Sequence, residues 1–299
     1  MSPHVRCGDY VVPVSLYRPA TAPRATHRLP VLLRACHPEP TVAVTVFVTA
    51  LAVSAGRGPA GSVGVGAAVL AGQLSVGWCN DAVDARRDAA TGRWDKPVAA
   101  GALAPRVVAM AAVAALIVCV PLSLLGGASA ATVHLAGVLA GGWAYNLFLK
   151  GTVLSPLPYA LGFASLPAFV TLGLPSQPWP AWWVSAGSAL LGVGAHLVNV
   201  LPDIDDDLAT GVRGLPQRLG ATACRWLAPA VMLTALTVLT SKPPGTPGVL
   251  AWAVAAVAAC TAMAGTAMRH GSDRWPFRAA ITVAGLALAQ LLLSGAHIV

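Results

Sequence analysis

Charge is what this chain has least of. Only 10% of its 299 residues are Asp, Glu, Lys or Arg, against roughly 25% in a soluble domain. Hydrophobic residues make up 56%, and the mean hydropathy is +0.70. Water is therefore not the main solvent of this protein. Paired cysteine motifs are absent too. The six cysteines, at 7, 36, 79, 119, 224 and 260, show no CxxC spacing and lie mostly in or near apolar runs. That excludes a zinc site or a disulfide framework and leaves them as small packing hydrophobes. No apolar signal-peptide core opens the chain. The formal charge of +8 would suit nucleic acid, but its distribution along the chain excludes that partner.

What the chain does have is long apolar runs. A membrane span needs about 20 apolar residues to cross about 30 Å of hydrocarbon. Runs of that kind place membrane helices near 40–57, 62–82, 103–123, 127–148, 155–174, 181–204, 222–240, 247–268 and 277–297. The fold class is all-α: a polytopic membrane protein of about nine transmembrane helices. Residues 1–39 are polar, basic and Pro-rich, and read as a flexible cytosolic tail ending in an interfacial segment near Leu29–His37. Residues 40–299 form the membrane domain.

The loop charges orient it. With nine spans, seventeen of the nineteen Lys and Arg residues fall on the side of the N-terminus, and only Arg57 and Lys242 fall opposite. Positive charge accumulates on the cytoplasmic side, so the expectation is a multi-pass cell-membrane protein with its N-terminus and polar loops in the cytoplasm. All eleven carboxylates lie on that side as well.

Those carboxylates are not scattered. Eight of the eleven sit in two clusters and at Asp95. The first cluster runs Asn80-Asp81-Ala82-Val83-Asp84-Ala85-Arg86-Arg87-Asp88, and the second Asp203-Ile204-Asp205-Asp206-Asp207. Each ends an apolar run, where charge is costly and usually pairs, binds ions or marks a reaction site. Asn80, Asp84 and Asp88 are four apart and share a helical stripe, as do His196, Asn199, Asp203 and Asp207. Like charges about 4 Å apart repel by roughly 4 kcal/mol at an effective dielectric near 20. The clusters therefore call for cations. Oxygen-only ligands suit magnesium, which bridges to substrate phosphates.

At this point the residues resemble a known family. Asn80-Asp81-x-x-Asp84-x-x-x-Asp88 is similar to the first Asp-rich motif of the UbiA superfamily of intramembrane prenyltransferases. Lys96-Pro97 with Gly101 resembles the loop that follows it. Asn199-x-x-x-Asp203-x-x-x-Asp207, with Gly211, Leu215-Pro216 and Arg218-Leu219-Gly220, resembles the second motif. Tyr145-Asn146, Lys150 and Ser155-Pro156-Leu157-Pro158-Tyr159 extend the likeness, which runs from about Leu32 to the C-terminus. The family's Tyr-x-x-x-Lys spacing is one residue longer here, as Tyr145 and Lys150.

The resemblance implies a UbiA-like bundle around a central lipid-open cavity, two magnesium ions and a prenyl diphosphate donor. By the same likeness Asn80, Asp84 and Asp88 would hold one ion with Asp81 in support, and Asp203 and Asp207 the other. Lys150 and Arg213 would meet the diphosphate, with Lys96, Tyr145, Asn146 and Asn199 lining the substrate. Asp84, Asp203 and Lys150 would be the catalytic groups. The implied reaction is Mg-dependent prenyl transfer through an allylic carbocation to a small acceptor in the membrane lipid, expected to be an aromatic ring. The rival is a cyclase on the same fold, in which the donor's own double bond attacks. CDP-alcohol phosphotransferases are disfavoured because Ala85 follows Asp84 where they need Gly. A transporter is disfavoured because the carboxylates crowd at one face instead of spreading through the spans.

Overall fold

Proline marks where the helices begin. It lacks an N–H, which costs nothing in a first turn, and its φ is already helical. Pro38, Pro59, Pro105, Pro156 and Pro216 all fall in the first turns of helices. The computed structural model describes residues 4–7, 10–13, 28–267, 275–293 and 298–299. A short antiparallel hairpin, β1 (His4–Cys7) and β2 (Tyr10–Pro13), comes first. Among the described residues every later element is helical: α1 (Arg28–Arg34), α2 (Pro38–Ser54), α3 (Gly58–Ala90), α4 (Pro105–Leu124) and α5 (Ala128–Ala136). Two π-helical segments follow, π1 (Gly137–Trp143) and π2 (Tyr145–Leu149). Then come α6 (Pro156–Thr171), α7 (Trp182–Val200), α8 (Ile204–Ala209), α9 (Leu215–Ser241), α10 (Val249–Ala267) and α11 (Trp275–Leu293).

Among the described residues, five stretches are long and apolar enough to cross a membrane: Gly58–Ala90, Pro105–Leu124, Trp182–Ala209, Leu215–Ser241 and Trp275–Leu292. Pro38–Ser54 and Val249–Gly265 are shorter apolar helices. The chain is a multi-pass membrane protein. Its outer faces carry Val63, Met110, Ile117, Phe148 and Trp252, all more than half exposed, as side chains facing lipid would be. Lipid tails are as apolar as Leu, so helices associate through close packing instead of by escaping water. Small residues make that approach. Ala68, Ala71 and Gly72 of α3 are buried, Gly187 of α7 sits under Leu239, and Gly194 sits under Met232. Phe169, Leu236 and Leu239 are the largest fully buried apolar side chains of the main cluster.

Three boundaries differ from the sequence expectation, each with a local cause. The first long span runs on to Ala90 instead of ending near 82, so the first acidic cluster lies on the helix itself, as its four-apart stripe requires. The run expected at 127–148 begins as α-helix and continues as two π-helical segments. The run expected at 181–204 stops at Val200, because Pro202 forces a 3-10 turn, Leu201–Asp203, before the short α8. That turn interrupts the stripe expected to join His196 and Asn199 to Asp203 and Asp207.

The segment before α2 is tied to the bundle. The Trp78 indole N–H donates to the Leu32 carbonyl at 2.8 Å, and Thr41 Oγ1 donates to the Cys36 carbonyl at 2.9 Å. Gly77 permits the approach. Any Cβ there would overlap the Cys36 carbonyl.

Candidate active site

Asp84 is the centre of the polar end of the bundle. It is 3% exposed, and its two carboxylate oxygens are divided between two cations: Oδ1 takes the Arg87 guanidinium and Oδ2 the Lys150 ammonium. Asn80 Nδ2, one turn back on α3, donates to Asp84 Oδ2 at 3.3 Å and to Asn146 Oδ1 at 3.1 Å. Asn146 in turn donates to the Val76 carbonyl at 3.2 Å. Asn80, Asp84, Asn146 and Lys150 thus form one connected group. Arg87, which the sequence offered only as one of seventeen basic residues on one side, is part of it.

Asp81 and Asp88 form a second group. Seven residues make almost two full turns, so Asp88 falls nearly above Asp81, and the four-apart row drifts away from it. Both carboxylates share Lys96, which lies 2.9 Å from Asp88 and 3.8 Å from Asp81. Burial alone would lower the Lys96 pKa, but Asp88 and Asp81 outweigh it and hold the ammonium above its ordinary value. His37 Nε2 lies 3.1 Å from Asp81, so the end of the segment read as tail contributes to this group.

The second acidic cluster meets the first through Arg93. Its guanidinium donates to Asp203 Oδ1 at 2.5 Å, across 110 residues of sequence, and to Asp95 at 3.4 Å. Burial would lower the Arg93 pKa; Asp203 and Asp95 raise it above its ordinary value. Asp207 lies within the fields of Lys150, Asp203 and Asp84 and accepts from Gln217 Nε2 at 2.7 Å. Gln217 is aimed by a short first turn of α9 that breaks at Gly220, whose φ of 81° and ψ of 162° are open only to glycine. Asp205 is exposed and Asp206 half-buried.

The π-helical segment resolves the irregular Tyr145–Lys150 spacing. A π-turn closes on the fifth residue, one more than an α-turn, and often occurs at functional sites. The Lys150 amide donates to the Tyr145 carbonyl at 2.9 Å, so the extra residue is absorbed within the turn. Lys150 therefore reaches Asp84, and Tyr145 is buried edge-on against Tyr159 and His196, at 5.1 and 5.5 Å. Asn199 Nδ2 donates to the Tyr159 hydroxyl at 3.2 Å. Behind them, Ser155 Oγ lies 3.1 Å from His196 Nε2 and accepts the Leu215 amide at 3.2 Å.

Of the residues singled out from the sequence, Arg213 stands apart. It is exposed, and its side chain makes no ion pair with a described residue; only its carbonyl is used, by Arg218 Nε at 2.8 Å. Sequence reasoning missed Arg93, His37 and Gln217. The last lay within the recognised Leu215–Gly220 segment. Arg93 follows a Thr91-Gly92 turn that erases helical spacing, so no periodicity pointed to it.

The donor set fits magnesium in kind. It is carboxylate and amide oxygen throughout, with His37 the one imidazole on a carboxylate. Among the described residues no three His, Cys, Asp or Glu side chains converge on one point; Asp81, Asp84, Asp88 and Asp203 are paired instead with Arg87, Lys150, Lys96 and Arg93. Gln217 Oε1 is buried beside Asp207 without a partner, which leaves an oxygen free for a cation or its water.

Comparison with curated sequences returns no significant match. The fold matches a UbiA homologue from Archaeoglobus fulgidus bound to GPP and Mg2+, with TM-score 0.66, 13% identity, 88% of this chain and 99% of that one. It also matches the apo form of a UbiA homologue from Aeropyrum pernix K1, with TM-score 0.64, 20% identity, 85% and 98% coverage. A digeranylgeranylglyceryl phosphate synthase structure matches at TM-score 0.61, 16% identity, 90% and 99% coverage. The model of the UbiA prenyltransferase family matches residues 42–283. With four-fifths of its length so matched, the chain belongs to the UbiA prenyltransferase family.

Proposed function

We propose that the protein transfers a prenyl group from a prenyl diphosphate to a small acceptor, with magnesium, at the membrane face where its two acidic clusters meet. One observation carries this reading: Arg93 on Asp203, and Lys150 between Asp84 and the field of Asp207, bring the two clusters to a single polar end. The A. fulgidus homologue was solved with GPP and with DMAPP, each with Mg2+. That supports a prenyl diphosphate as donor here.

Asn80, Asp81, Asp84, Asp88, Asp203 and Asp207 would hold the metal. Bound there, magnesium would neutralise the diphosphate and ease its departure. The chain's own work is positional and electrostatic. Lys150 and Lys96 already lie among the carboxylates, so a diphosphate entering between the clusters would meet ammonium groups in fixed places. Such prearranged donors act on the charge that develops as the carbon–oxygen bond breaks. Arg213 is exposed shortly after the second cluster, and its guanidinium would meet the phosphates. The packed rings of Tyr145 and Tyr159, with Asn199 on the Tyr159 hydroxyl, present an apolar wall to the allylic cation and exclude water that would quench it. The acceptor then attacks carbon and loses a proton. An electron-rich aromatic ring is the acceptor type this reading expects. The seventeen-to-two bias of basic residues favours a cytoplasmic polar end in the cell membrane.

The test is incubation of the purified protein with geranyl diphosphate and magnesium, with and without aromatic acceptors, followed by mass spectrometry. Transfer predicts diphosphate release coupled to a prenylated acceptor. Release of a cyclic hydrocarbon or alcohol with no acceptor would identify a cyclase instead. No consumption of any prenyl diphosphate would remove the reading.

A further inference from the structure

A second polar feature lies at the other end of the bundle. Arg57 joins α2 to α3, and Asp84 sits 27 residues further along α3, about 40 Å away at 1.5 Å per residue. Every described carboxylate belongs to the opposite end, and Arg57 makes no ion pair with any of them. Its Nε is buried and has no hydrogen-bond partner. Its guanidinium lies against the backbone of Gly173, where any Cβ would collide with it. Burial pushes its pKa down, with no carboxylate to push it back. Two further hydroxyls at this end lack partners: Ser62, 4% exposed, and Thr171, 0% exposed.

The guanidinium is also part of a cavity wall. A space of about 270 Å3 opens beside it, and every other lining residue, Gly64, Val65, Leu122, Leu125 and Phe169 among them, is apolar or without a side chain. The side chain is half-buried and its Nε has no partner, and an arginine fork matches carboxylate or phosphate oxygens in pairs. The cavity's one polar group is a cation, and the rest of its wall suits hydrocarbon.

We propose that this cavity binds an anionic amphiphile, with its phosphate or carboxylate oxygens on Arg57 and its hydrocarbon chain against Gly64, Leu122, Leu125 and Phe169. The site is separate from the acidic clusters and does not depend on their function. Its ligand could come from a membrane phospholipid headgroup or from a free single-chain amphiphile.

Native mass spectrometry of the detergent-solubilised full chain tests this, with dodecyl phosphate as probe. The wild type should bind one equivalent more than Arg57→Gln, whose affinity at this site should fall at least tenfold. Inorganic phosphate should bind at least tenfold more weakly than dodecyl phosphate. Gly64→Leu fills the cavity without touching the guanidinium, since a Cβ at Gly64 meets only Leu125, at 3.8 Å, and it should also block the probe. Arg57→Lys returns the charge without the fork and should bind between wild type and Arg57→Gln, which a general folding defect would not allow. Displacement of the probe by dioleoyl phosphatidic acid supports the proposal with a lipid headgroup as occupant. Resistance to displacement supports it with a single-chain ligand. Equal dodecyl phosphate binding by wild type and Arg57→Gln, or equal affinity for inorganic phosphate, overturns it.

Discussion

Replacing Lys150 with Met removes one positive charge and almost nothing else. The two side chains are similar in length, and the π-turn that presents residue 150 is held by its backbone amide, not by the ammonium. The Lys150 side chain is 15% exposed and its partner Asp84 5%, so the charge acts in a partly desolvated place where water screens it poorly. Asp84 keeps Arg87 as a partner. The stability loss should therefore fall well below the roughly 3–5 kcal/mol that orphaning a buried charge costs. Turnover should suffer far more. A fixed donor aimed at charge that develops in the transition state is worth about 2.7–4 kcal/mol, or about 10²–10³ in rate. Lys150→Met should accordingly lower kcat/KM for prenyl diphosphate consumption by about that factor at saturating magnesium. Phe148 lies on the same π-turn but is 72% exposed to the lipid side, so Phe148→Ala should change kcat/KM by less than about threefold. A Lys150→Met enzyme within about threefold of wild type, with its melting profile intact, would refute the reasoning.

Other perturbations follow from single contacts. Arg93→Gln removes the link between the loops after α3 and α7. Both partners are a quarter to a third exposed, so stability should shift by no more than about 1 kcal/mol, while turnover falls about tenfold, or roughly 1.4 kcal/mol; rate and thermal melts together check this. Gly220→Ala places a side chain on a backbone conformation open only to glycine and should cost about 1–3 kcal/mol, measured as a lower melting temperature. Chelation of divalent ions with EDTA should abolish turnover, and added magnesium should restore it; activity persisting in EDTA would remove the metal from the account.

Much of this was legible in the sequence because charge is so scarce in it. Asp81, Asp84 and Asp88 announce themselves in an apolar run. Proline would have sharpened the helix starts, which apolar runs alone placed up to seven residues late. What stayed hidden were contacts made by residues without periodic context. Arg93 and His37 sit in turns, and a turn's direction depends on what it packs against. Pro202 broke the second stripe, because one missing N–H outweighs the apolar pattern around it. The long Tyr145–Lys150 interval looked like a departure until the π-helix accounted for it; hydrogen-bond register is a backbone property that hydropathy does not carry. Arg57 was counted as one of two basic residues on the far side, and nothing local in the sequence set it apart from Lys242.

The account stands on two acidic clusters, distant in sequence, acting on one diphosphate. Equilibrium binding of geranyl S-thiolodiphosphate, an unreactive donor analogue, tests that directly in wild type, Asp84→Asn and Asp203→Asn, with and without magnesium. The account predicts that each substitution weakens magnesium-dependent binding at least tenfold, and that omitting magnesium from the wild type does the same. Wild-type affinity in either variant would mean that its cluster does not hold the diphosphate.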